Sequence, residues 1–122
     1  MSRPMNGCRY LCSELVSVLY EDHAGHTHQA VANLEEISST EAILLTEGQP
    51  PSGLPISFCA KQHDLYGVVE SSELHPELGW FVKVKLAGSS RWHGRMFVPE
   101  HFIALCQSTF SDVTEDVTSR VR

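Results

Sequence analysis

Alternation is the feature that most constrains this chain. Across residues 79–86, Trp80, Val82, Val84 and Leu86 fall on one side and Lys83 and Lys85 on the other. Successive side chains of an extended strand face opposite ways, so this pattern writes a strand with one buried and one wet face. Further strands are read over residues 15–20, 29–34, 55–60 and 65–70, with the continuous apolar run 42–45 as a short buried strand. Between these runs lie polar or Gly/Pro-rich breaks: Glu21 to His26, residues 35–41, Gly48-Gln49-Pro50-Pro51-Ser52-Gly53, Lys61-Gln62-His63, and residues 71–79. About six short strands with turn signals roughly every eight to twelve residues predict an all-β barrel or sandwich.

The strand pattern ends at Gly88-Ser89-Ser90. Pro99 and Glu100 suit the first turn of a helix, so a C-terminal helix is expected over residues 99–105. In the tail, Val113, Val117 and Val121 are spaced four apart, with acids early and arginines late, which suits either a second helix or a frayed end. The expected organisation is an N-terminal arm at residues 1–12, a barrel with its terminal helix at 13–107, and a tail at 108–122.

A chain of 122 residues supports one core, and 42% hydrophobic with 20% charged residues is too apolar for a disordered segment. Its net charge of −6 argues against general nucleic-acid binding, which needs a basic face to displace counterions from phosphate. No apolar run reaches the roughly 18–20 residues of a bilayer span, and the first fifteen residues lack a signal peptide's pattern. These readings predict a cytoplasmic protein with no membrane or nucleic-acid partner. The four cysteines (Cys8, Cys12, Cys59 and Cys106) are accordingly expected as free thiols, with Cys59 and Cys106 in the core.

Catalytic chemistry finds little support. The chain has no phosphate-cradling glycine loop, no Gly-x-Ser-x-Gly elbow and no His-Glu-x-x-His pair. Nothing brings Cys12 or Cys59 to a histidine, and the adjacent pairs Glu21/Asp22 and Glu35/Glu36 decorate corners. A non-enzymatic protein without a cofactor is expected. One other class stays open: His23, His26 and His28 at a hairpin turn form a candidate zinc site, against the alternative of a solvated polar turn. Among the few cations, Arg9 stands alone before the first strand, and Arg91 and Arg95 flank Trp92, whose simplest role is to pack over one end of the barrel.

The order of elements resembles the bacterial PilZ domain over residues 9–105. The matching stretches are Arg9-Tyr10-Leu11-Cys12-Ser13-Glu14-Leu15-Val16, Glu36-Ile37-Ser38 with residues 42–45 after it, and residues 51–58. Tyr66-Gly67-Val68-Val69 and residues 79–84 resemble the last two strands. The resemblance implies a six-stranded antiparallel barrel followed by a helix, acting in signal transduction as a receptor for cyclic diguanylate. It assigns ligand contacts to Arg9, Ser38 and Glu36, with Arg3 assisting from the arm. In that family an Arg-x-x-x-Arg stretch supplies cations to two phosphates, and an Asp/Asn-x-Ser-x-x-Gly segment meets the guanine edge.

Both motifs depart from the family pattern. Met5 stands where the first arginine belongs, Glu36 replaces Asp or Asn, and Glu41 occupies the glycine position. One lost charge-assisted contact costs roughly 1.5–3 kcal/mol. A misplaced carboxylate costs on the order of 1 kcal/mol more. Together they weaken binding by about two to three orders of magnitude. The resemblance therefore implies either weak cyclic diguanylate binding or a module that has lost the nucleotide and contacts another protein.

Overall fold

The computed structural model describes residues 8–88, 92–94 and 96–106. Seven strands are present among them: β1 (Cys8–Glu21), β2 (Thr27–Ser38), β3 (Glu41–Thr46), β4 (Pro55–Ala60), β5 (His63–His75), β6 (Gly79–Leu86) and β7 (Ile103–Cys106). The sheet runs β2-β3-β6-β5-β4-β1-β7, and a further β1–β2 pairing closes the first six strands into an antiparallel barrel. On one edge of β1, β4 pairs with Ser17 to Tyr20 and β7 with Cys8 to Leu11. The short seventh strand thus continues the line of the fourth.

Alternation builds the interior as expected. Val16 and Val18 of β1, Ala42 and Leu44 of β3, Ile56 and Phe58 of β4, Leu65 and Val69 of β5, and Val82 and Val84 of β6 all point inward and are buried. Closing a barrel requires strands to bend, and here register shifts between Leu11/Glu14 on β1 and between Val69/Ser71 on β5 mark bulges. On β2 the buried set jumps from Leu34 to Ile37 because of a third shift, between Leu34 and Glu36. A strict period of two cannot anticipate that step.

The strands are longer than the apolar runs that announce them. β5 extends to His75 and β2 to Ser38, through segments that the sequence reads as connections. Paired backbone carries the mostly exposed end of β5, whereas the end of β2 is also anchored by buried Ile37.

The helix expected over residues 99–105 is not formed. His101 has φ of 49°, outside the helical region, and residues 103–106 pair as β7 with β1. The tail helix of residues 108–122 lies outside the described residues. Among the described residues, no helix is long and apolar enough to cross a membrane.

The chain leaving β6 folds over the end of the barrel where β1 starts. Trp92 and Phe97 are buried there, and the Trp92 indole Nε1 donates to the Phe97 carbonyl at 3.1 Å. Tyr10 meets the Trp92 ring edge-on at 5.0 Å and packs on Phe102 at 5.3 Å. Trp92 therefore plugs the barrel.

Candidate functional site

Three of the four residues singled out by the resemblance meet beside this plugged end. Arg9 and Ser38 are direct partners across the β1–β2 ladder, and the Arg9 guanidinium Nη1 reaches the Glu36 carboxylate at 3.1 Å. Arg3 lies outside the described residues. The juxtaposition follows from register: the bulge in β1 opposite Glu35 resets the pairing so that Leu11 faces Glu36 and Arg9 faces Ser38.

The polar groups of this corner are already engaged with one another. Half of the Arg9 side chain is exposed and its cation is paired with Glu36. Ser38 Oγ accepts the backbone N–H of Glu41 at 3.2 Å and of Thr40 at 3.4 Å, turning the chain from β2 into β3. Glu41, at the position where the family pattern wants glycine, extends toward Lys83 at 3.7 Å. Two cations, Arg9 and Lys83, one hydroxyl and two carboxylates can orient a polar ligand by hydrogen bonds. Among the described residues they offer an anion one guanidinium, which must first leave Glu36.

Behind the corner lies a network that sequence reading missed. Glu14 is nearly buried, and its Oε1 accepts the Glu100 backbone N–H at 2.7 Å. Lys61, in the β4–β5 turn, stands 3.6 Å from Glu14 and 2.6 Å from the Glu100 carboxylate. Hydrogen bonding to that carboxylate raises the Lys61 pKa, and the Lys61 ammonium lowers that of Glu100. A glutamate at an inward position of a strand was the available signal, since a buried carboxylate needs partners.

The histidine cluster resolves into a capped turn. Asp22 Oδ1 accepts the backbone N–H groups of Ala24 and His26, both at 2.9 Å, while Oδ2 meets His28 Nε2 at 2.9 Å. The His28 bond, the backbone bond from His26 and then that from Ala24 hold the Asp22 carboxyl down at about 2. His28 also stacks on Tyr20 at 4.9 Å. No group of three or more His, Cys, Asp or Glu able to hold a metal occurs among the described residues.

Cys12 and Cys59 are free thiols. Cys12 Sγ donates to the Leu34 carbonyl at 3.4 Å, and desolvation, reinforced by Glu14, Glu35 and Glu36, pushes its thiol up to about 12. Cys59 departs from its expected core place. It alternates with buried Phe58 and Ala60, so it faces outward, opposite Ser17 and Asp64. Burial, then the Asp64 hydrogen bond, raises its pKa.

The outer face carries an apolar strip that alternation reading passed over. Leu15 and Val31 are 74% and 68% exposed, and Leu19, Tyr66 and Val68 are also exposed. Leu19, Pro55 and Tyr66 line one shallow groove across β1, β4 and β5. Comparison with protein-family models, with curated proteins and with solved structures finds no match to this chain.

Proposed function

We propose that this chain is a non-enzymatic, PilZ-like bacterial signalling module of the cytoplasm. In this reading the Arg9–Ser38–Glu36 corner binds cyclic diguanylate weakly or has lost it, and the module works by contacting another protein. The observation that carries the reading is the 3.1 Å Arg9–Glu36 ion pair opposite Ser38. Three of the four residues that the resemblance assigns to the ligand, Arg9, Ser38 and Glu36, lie side by side, yet the Arg9 cation is neutralised by its own neighbour. Exposed Leu15, Leu19, Val31 and Val68 supply apolar surface suited to a protein partner.

Calorimetric titration with cyclic diguanylate at low salt tests this. The expected result is no heat, or a dissociation constant above about 100 µM. In Glu36→Asn, which frees Arg9 and restores an amide, binding is expected to tighten by about tenfold or more. A wild-type constant below about 1 µM overturns the reading. So does a Met5→Arg/Glu36→Asn/Glu41→Gly protein, with every departure from the family pattern repaired, that remains as inert as the wild type.

A further inference from the structure

Cys8 and Cys106 are direct partners in the β1–β7 ladder, although almost the whole barrel separates them in sequence. Residues opposed across an antiparallel ladder have Cα atoms about 4.5 or 5.5 Å apart. Both spacings fall within the roughly 4.4–6.8 Å that a disulfide spans.

The other pairings are too far apart. Cys8 and Cys12 are four positions apart along β1, roughly 13 Å of extended chain. Cys59 pairs with Ser17, five positions along β1 from Cys12 and nine from Cys8. At about 3.3 Å per residue those separations are roughly 17 Å and 30 Å. Of the three ways to pair four cysteines completely, none is available; register leaves one bridge.

The strand that such a bridge would hold has few other attachments. β7 is four residues long and, among the described residues, pairs with β1 alone in the sheet, outside the closed barrel. Cys8 precedes Arg9, whose ladder partner on this side is Leu105, so the bridge would also pin the strand end that carries Arg9.

We propose that Cys8 and Cys106 form an intrachain disulfide that fastens β7 to the start of β1 and responds to thiol redox poise. The chemistry is exchange with a low-molecular-weight disulfide such as oxidised glutathione. One cysteine thiolate attacks the oxidant to give a mixed disulfide and one glutathione thiolate. The second cysteine displaces the other glutathione, so two thiols are oxidised, one disulfide is reduced, and two protons end on the two glutathione products. Cys12 and Cys59 remain thiols, since register holds each far from any other cysteine, and burial raises the pKa of both.

The test uses the full chain, fully reduced and then equilibrated with oxidised glutathione. Remaining thiols are blocked, and the protein is digested without reductant for mass spectrometry. The expected product is a Cys8–Cys106 linked peptide, with two thiols per chain titrating in denaturant against four after reduction. The oxidised chain is expected to melt higher than the reduced one by roughly 10 °C, since the bridge closes a long loop. Cys8→Ser and Cys106→Ser should each erase that difference while melting like the reduced wild type. Four thiols per chain after oxidation overturn the proposal. So does a bridge through Cys12 or Cys59, or a product linked mainly between chains.

Discussion

The Glu14 carboxylate, on the inner side of β1, accepts the backbone N–H of Glu100 at 2.7 Å across 86 positions of sequence. Ser13 N–H donates to the carbonyl of the same Glu100 at 3.2 Å. Two consecutive residues of the first strand thus clamp one residue of the segment that leads into β7. Lys61 supplies the positive charge that a nearly buried carboxylate requires.

Glu14→Ala is therefore expected to destabilise the fold by about 1.5–3 kcal/mol, the cost of losing a charge-assisted bond and leaving its donor unpaired. Urea unfolding should show the midpoint lowered by about 1–2 M. Glu14→Gln retains an acceptor oxygen and should lose less. Equal losses for the two variants would show that the side chain's bulk, not its bond to Glu100, matters.

Trp92 seals the barrel by shape and by its indole N–H. It is 3% exposed, and its hydrogen bond to the Phe97 carbonyl is inside the plug. Trp92→Ala should cost about 3–5 kcal/mol, as expected for emptying a large aromatic site. Trp92→Phe keeps most of the ring but strands the carbonyl, costing roughly 1–3 kcal/mol. Unfolding followed by circular dichroism checks both, because removing one of the two tryptophans changes the fluorescence signal itself.

Asp22 gives the β1–β2 turn an acid-sensitive step. Its folded pKa is about 2, below the ordinary 3.8, chiefly through the His28 bond. The folded state therefore holds this carboxylate ionised where the unfolded chain has begun to bind a proton. The resulting stabilisation is present above about pH 4 and is lost as pH falls through about 2. Carboxyl NMR titration should place the Asp22 midpoint near 2, and His28→Ala should move it back toward 3.8. Asp22→Asn should flatten the acid limb of stability over that window. A midpoint unmoved by His28→Ala would refute the assignment of His28 as main cause.

The barrel was legible because residues such as Val82, Val84, Ile56 and Phe58 alternate without interruption, and burial on one face leaves little freedom of register. The corner was legible in part: Arg9, Ser38 and Glu36 were singled out and do meet. Their mutual neutralisation depends on the bulge opposite Glu35, which no local pattern announces. Pro99 and Glu100 fit a helix's first turn, so local signals predict a helix where β7 forms. Yet positive φ at His101 and the open edge of β1 favour a strand, and that edge comes from residues 8–11, far away in sequence. Local propensity lost to a tertiary partner.

Gly67 ties the strand geometry to the candidate corner. It pairs with Leu86 at the end of β6, and a Cβ there would run into the backbone carbonyl of Lys85 and come within 2.9 Å of the Leu86 Cα. An isolated strand glycine of this kind marks a close backbone approach. Backbone atoms cannot swing aside as a side chain would, so Gly67→Ala must spread β5 from β6. Leu86 N–H in turn donates to the Thr40 carbonyl at 2.8 Å, in the turn whose hydrogen bonds Ser38 accepts. The strain should therefore reach the Arg9–Ser38 pair. Gly53 offers the control: it has φ of +86° but open space around a Cβ, so Gly53→Ala carries backbone strain alone, roughly 1–2 kcal/mol. Gly67→Ala is expected to cost at least about 3 kcal/mol, the upper end for overpacking. It should also shift the amide resonances of Ser38 and Thr40, which Gly53→Ala leaves in place. Equal stability of the two variants in urea, with Ser38 unmoved, would mean that β5 and β6 separate freely and that the corner is not braced through Leu86.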